Sequence, residues 1–186
     1  MNYTETEIPG VWMIEPKVFG DTRGYFLEAY IKTEFEQFIG TCDFMQENES
    51  CSSQGVLRGF HYQLDPFSQS KLVRVVSGSV LDVAVDIRKG SPTYGKYVMV
   101  ELSGENKRQL FVPKGFAHGF YVTSETAVFI YKVDNPYVPT HERGICFDDP
   151  YVGVEWPLQQ EILLLVSEKD RKLPLLKDAE INFTYK

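Results

Sequence analysis

Apolar and polar positions alternate with a period of two along much of this chain. In "SVLDVAVDIR" (79–88), Leu81, Val83, Val85 and Ile87 fall on one face, and Asp82, Ala84, Asp86 and Arg88 on the other. "KLVRVVSG" runs into this stretch, and Ser77-Gly78 is predicted to be the hairpin turn between the two. "KYVMVELS" (96–103) and "TAVFIYKV" (126–133) read as strands in the same way. Turn-forming stretches such as "RKGSPTYG", "LSGENKR" and "VPKGFAHG" separate them. Many short strands at regular spacing predict a sandwich or barrel. Helix is scarce. Residues 32–40 are predicted to be helical, with Thr33 and Glu36 at capping-box spacing, Gly40 as the stop, and Phe35, Phe38 and Ile39 on one apolar face. A second short helix is expected near 159–166 or just after Ser167. No internal repeat, low-complexity segment or linker divides the chain, so residues 1–186 are read as one all-β domain.

Composition narrows the partners. Aromatic residues make up 14% of the chain, which suits strands or the binding of a flat ligand. A net charge of -7 argues against a broad nucleic-acid or membrane-surface role. An anionic ligand would need a local cationic pocket. The three cysteines, Cys42, Cys51 and Cys146, are odd in number and form no CxxC, which points to reduced thiols and a cytoplasmic chain. "MNYTETEIPG" lacks the pattern of a signal peptide, and "ILLLV" (162–166) falls far short of the roughly 20 residues of a membrane helix.

Two stretches carry candidate chemistry. "RGFHYQ" (58–63) places His61 on a strand face with Gly59 and Gln63, with Arg58 on the opposite face unless a bulge intervenes. A lone histidine is most often structural, but neighbouring cations such as Arg58 and Lys71 favour the neutral imidazole that a base needs. "VPKGFAHGF" (112–120) has Pro113, Gly115 and His118 in the spacing P-x-G-x-x-H. That spacing resembles the second motif of the cupin superfamily, small barrels of jelly-roll type. The first cupin motif would supply H-x-H and a glutamate; here Gln63 replaces the second histidine and no placed glutamate follows. Two neutral histidines and an amide suit zinc or iron poorly, so a cupin-like fold without a metal is expected. Asp82 lies on the polar face of its strand, and if that face looks into the barrel it must pair, with His118 as candidate. Asp170 also reads as an ordinary surface carboxylate, and Tyr131 as an ordinary half-buried strand tyrosine.

The stretches "DTRGYFLE" (21–28), "QENES" (46–50), "GVLRGFHYQ" (55–63), the run 69–96, "VPKGFAHGF" (112–120), "DDPYVGVEWP" (148–157) and "SEKD" (167–170) recur in order. Together they resemble the dTDP-4-dehydrorhamnose 3,5-epimerase family, metal-free cupins of deoxysugar biosynthesis. The resemblance implies a cofactor-independent isomerase that inverts C3 and C5 of dTDP-4-dehydro-6-deoxyglucose. It implies His61 as the base, Asp170 as its dyad partner, Tyr131 as the acid on the opposite sugar face, and Lys71 beside the keto oxygen. It implies ligand contacts from Arg23, Phe26, Glu28, Gln46, Asn48, Arg58, His118, Tyr137, Glu142 and Lys169. It further implies a homodimer in which Arg23 and Glu28 reach the neighbouring site. Phe60 and Cys146-Phe147 depart from the usual pattern and bear on the substrate rather than on the acid or base.

The roles make chemical sense. Hydrogens alpha to a 4-ketone are acidified because the charge left behind spreads onto the oxygen, which donors or cations stabilise. Base and acid on opposite faces then invert the centre. Alternatives stay open at this level: an epimerase of a single carbon or of a related nucleotide sugar, a metal-dependent cupin oxygenase, and a non-catalytic sugar-nucleotide binding module.

Overall fold

The computed structural model describes residues 1–185. In chain order its elements are β1 (Asn2–Glu5), β2 (Trp12–Glu15), β3 (Val18–Asp21), β4 (Gly24–Leu27), α1 (Lys32–Phe38), β5 (Gln46–Ser53), β6 (Val56–Gln63), β7 (Lys71–Ser77) and β8 (Ser79–Asp86). There follow β9 (Tyr97–Ser103), β10 (Gln109–Val112), β11 (Phe116–Val122), β12 (Thr126–Val133), β13 (Glu142–Gly144) and β14 (Leu165–Val166). One sheet runs β1-β2-β10-β7-β12-β5. The facing sheet runs β13-β6-β11-β8-β9, with β14 added parallel to β6. β3 and β4 form a separate exposed hairpin. Two antiparallel sheets closed face to face make the expected jelly-roll barrel of cupin type.

The alternation in β8 has the predicted period and an unexpected sense. Val83, Val85 and Ile87 turn outward and are buried beneath the C-terminal segment by Ile145, Val152, Leu176, Ile181 and Phe183. The opposite face looks into the barrel, where Val80 and Ala84 pack with Val73, Leu110, Phe120 and Phe129 from both sheets. Asp82 and Asp86 lie on that same inner face, fully buried. Asp86 is satisfied by Arg88, Ser91 and Thr93, which lets a carboxylate sit inside the protein.

Two expectations are corrected, and a third, left as two alternatives, is decided. Ser77-Gly78 closes no hairpin: β7 pairs with β10 and β12, whereas β8 pairs with β9 and β11 in the other sheet. The dipeptide is the corner where the chain crosses between sheets. Gly78 has φ +77°, and a Cβ there would lie 1.9 Å from the Thr126 carbonyl oxygen. The helix starts earlier than its capping box required. Its N-cap is Ile31, without a side-chain cap, and Thr33 lies inside it. Burial of Phe35 against Tyr30, Phe44 and Phe111 holds it, while Phe38 stays exposed and stacks on Tyr3. Residues 159–166 are not helical; they end in β14, and the short helical turn follows Ser167, at Asp170–Lys172.

Gly78→Ala places a Cβ on a backbone oxygen at a left-handed φ. We expect it to cost about 2–3 kcal/mol and to lower Tm by roughly 5–10 °C in a thermal melt. An unchanged Tm would show that the corner relaxes freely.

Candidate active site

A cavity of about 830 Å³ opens at one end of the barrel. Its lining includes Arg58, His61, Lys71, His118, Tyr131, Tyr137, Glu142, Lys169 and Asp170, drawn from both sheets and the C-terminal segment. β6 supplies Arg58 and His61 together because it is bulged. Between its pairings with His118 and Phe120 of β11, β6 advances from His61 to Arg58, three residues against two. The extra residue reverses the alternation and brings both side chains to the cavity. Phe60 points the other way, fully buried and stacked on Trp156. Gly59 and Gly119 allow the crossing: a Cβ on Gly59 would meet the His118 carbonyl oxygen at 2.6 Å, and one on Gly119 the Arg58 carbonyl oxygen at 2.6 Å.

His61 Nε2 lies 3.0 Å from Asp170 Oδ1. Asp170 is buried, and its other oxygen accepts the Gly59 N–H at 3.2 Å. Burial pushes the Asp170 carboxyl up, but His61, Gly59 and Ser167 outweigh it and hold the group below the usual carboxylate range. The surface-carboxylate reading of Asp170 is therefore set aside. The charged groups against the ring are carboxylates, the expected Asp170 and, at 3.7 Å from Nδ1, Glu142, and not the expected cations Arg58 and Lys71. Arg58 instead donates to Ser52 Oγ at 3.1–3.2 Å.

His118 pairs with His61 across the β6–β11 register, and its Nε2 lies 3.0 Å from both oxygens of Asp82. The sequence named that partner correctly. Lys71 stands on the facing sheet, and among the described residues its ammonium makes no ion pair. Burial pushes it down to about 8, against the opposing pull of Asp82 and Glu142. Tyr131 also comes from the facing sheet, opposite Asn48 on β5. Its phenol is raised above the ordinary value, mainly by burial, with Arg58 and the Asn48 hydrogen bond acting the other way. It stays protonated at neutral pH.

The mouth is built on Glu142. Its Oε2 accepts Tyr137 OH at 2.6 Å and Lys169 Nζ at 2.5 Å. Burial raises its carboxyl, and these donors more than offset that, leaving it below the usual range. Gln63, weighed only as a failed metal ligand, is buried and structural. It donates to the Phe67 and Pro136 carbonyls and accepts Val138 N–H at 2.6 Å, fixing the loop that carries Tyr137.

Not every expected residue joins the cavity. Arg23, Phe26 and Glu28 lie on or just after the β3–β4 hairpin, are exposed, and do not line the cavity of their own chain. Arg23 pairs with Asp21 instead. Gln46 donates to Asn48 at 2.7 Å on the rim strand β5. Reading the sequence missed Glu49, Ser50 and the wall Leu163–Val166. The signal for that wall was the apolar run 162–166, read from the sequence as too short for a membrane and as part of a possible short helix. No described helix is long and apolar enough to cross one. Among the described residues, no group of three or more His, Cys, Asp or Glu converges to hold a metal ion.

Comparison with known proteins agrees with the geometry. The family model for dTDP-4-dehydrorhamnose 3,5-epimerase matches residues 5–178. The chain is 56% identical to the protein of that name from Shigella flexneri over 183 residues, 98% of this chain and 94% of the relative. It is 51% identical to the one from Pseudomonas aeruginosa, across 97% of this chain and 98% of the relative. The crystal structure of dTDP-6-deoxy-D-glucose-3,5-epimerase from Legionella pneumophila in complex with dTDP-4-keto-L-rhamnose superposes with a TM-score of 0.95 at 47% identity. It covers 100% of this chain and 98% of that one.

Asp82 is the larger of the two charges that favour the Lys71 ammonium. We expect Lys71 to titrate near 8 by side-chain NMR and Asp82→Asn to move that midpoint to lower pH. A midpoint that does not move would show that Asp82 serves His118 alone.

Proposed function

Because the chain belongs to the dTDP-4-dehydrorhamnose 3,5-epimerase family, we propose the following assignment of its residues to that reaction. The protein is an isomerase that inverts C3 and C5 of dTDP-4-dehydro-6-deoxyglucose to give dTDP-4-dehydro-L-rhamnose. The observation that carries the assignment is that His61 and Tyr131 stand on facing sheets of one cavity, with Lys71 in the same lining and its charge favoured by Asp82 and Glu142.

His61 acts as base, held through Nε2 by Asp170, which stabilises the imidazolium that forms. It takes the hydrogen alpha to the ketone. The electron pair passes into the enolate, whose oxygen is held by the Lys71 ammonium, with the His118–Asp82 pair beside it. Protonated Tyr131 returns a proton from the other face. Arg58 meets the diphosphate. Tyr137 and Lys169 at the mouth, with Gln46 and Asn48 on the rim, contact the nucleotide end. Neither hydride transfer nor a metal enters this scheme.

Residues 1–186 act as one domain, and two copies form a dimer in which the β3–β4 hairpin brings Arg23, Phe26 and Glu28 to the neighbouring cavity. Exposed Val18, Phe19, Tyr25 and Phe26 support this, since a hairpin so apolar is seldom left open to water. The free cysteines fit a reducing compartment, and we place the protein in the cytoplasm.

In D2O, proton NMR should show deuterium entering C3 and C5 of the sugar, and His61→Ala should slow both by about 10²–10⁴-fold. Uptake at one carbon only would replace this reading with a mono-epimerase. No uptake would leave a binding module. Light scattering should give a dimer mass at micromolar concentration, and a monomer would remove Arg23, Phe26 and Glu28 from the site.

A further inference from the structure

We propose that Ser52 is a positioning residue for the diphosphate: its hydroxyl oxygen holds one edge of the Arg58 guanidinium, so that the other edge is presented to the ligand. The inference rests on the reading that Arg58 meets the diphosphate.

The strand pattern sets the pair up. Asn48, Ser50 and Ser52 alternate along β5 and stand directly opposite Tyr131, Phe129 and Ala127 of β12. Residues directly opposite in an antiparallel pair share a face. Here that face is the barrel interior, since Phe129 and Ala127 are core residues and Tyr131 packs against the same core. A strand face turned to a core is ordinarily apolar, yet all three residues on β5 are polar. Ser52 is only 7% exposed, and a buried hydroxyl is costly unless it is hydrogen-bonded. Its partner is Arg58.

Six residues separate the two, and the chain changes sheets between them. β5 is the edge strand of one sheet and β6 belongs to the other. The crossing is made at Gly55, φ +81°, where a Cβ would meet the Leu163 carbonyl oxygen at 2.3 Å. This corner and the bulge in β6 together bring the guanidinium to β5.

Ser52 Oγ accepts from Arg58 Nε at 3.2 Å and from Nη2 at 3.1 Å. Those two N–H groups form one edge of the planar fork. Both N–H groups of Nη1 and the second of Nη2 remain, and none has a partner among the described residues. That edge can bind two phosphate oxygens side by side. Arg58 is exposed where it lines the cavity, so packing holds it weakly and the serine does the holding. The holder is uncharged. A carboxylate would fix the same edge but cancel the charge that the phosphates need. Fixing a long side chain before the ligand arrives removes an ordering cost from binding.

The test measures binding of dTDP and of thymidine, which carries no phosphate, by calorimetry. Ser52→Ala should weaken dTDP by about three- to tenfold, the range set by ordering one such side chain, and leave thymidine unchanged. Ser52→Cys, similar in size but a weak acceptor, should do the same. Ser52→Thr keeps the hydroxyl and should bind dTDP as wild type does. In an Arg58→Ala background, Ser52→Ala should have no further effect on dTDP. Equal weakening of both probes would make Ser52 a packing residue and overturn the proposal. Binding of dTDP by Ser52→Ala that is unchanged or tighter would also overturn it, the latter because Ser52 would then compete with the phosphates for Arg58. If Arg58→Ala with Ser52 intact bound dTDP as wild type does, the diphosphate assignment itself would fall. That outcome is read on a different variant from those that decide Ser52.

Discussion

The site depends on how closely the backbones of β6 and β11 approach at Gly59 and Gly119. Each glycine lies where a Cβ would meet a backbone oxygen of the other strand at 2.6 Å. That closeness accommodates the bulge, and the bulge decides which way three neighbouring side chains point. Arg58 and His61 turn to the cavity, and Phe60 turns to the outer core against Trp156. Regular alternation would have separated the arginine from the histidine. The same strand pair seats His61 beside His118, so one local irregularity arranges much of one wall.

Charge is distributed with a matching logic. The buried carboxylates Asp82, Asp86 and Asp170 each have committed partners, as burial demands. Among the described residues, Lys71 and His61 Nδ1 are the exceptions, a buried cation without an ion pair and a ring nitrogen without a hydrogen-bond partner. Both lie in the cavity wall. In the proposed reaction, the enolate oxygen is the group that would complete the Lys71 ammonium.

Much of this was legible from residue order alone. Period-two alternation marked β8, β9 and β12 close to their observed bounds, and the scarcity of helix was correct. The motif residues His61, His118, Lys71, Tyr131, Glu142, Lys169 and Asp170 do meet in one cavity although they come from distant parts of the chain. The Asp82–His118 pair followed from a simple requirement that a carboxylate facing inward be paired.

What failed did so for physical reasons that a linear pattern does not carry. A Ser-Gly dipeptide permits a hairpin and a sheet-to-sheet corner equally; pairing with β10 and β12 chose the corner. Capping-box spacing around Thr33 lost to the burial of Phe35. The apolar face of β8 reads as core in either sense, and only the C-terminal segment packed on it shows that it is the outer side. The order of residues determined the strands and the barrel class, because those follow from local periodicity. Tertiary packing alone decided that Glu142 joins the expected Asp170 against His61 and that Arg58 and Lys71 do not. It also decided that Arg23, Phe26 and Glu28 stand apart from their own cavity, since contacts between distant residues are set by how the sheets close and not by neighbours in sequence.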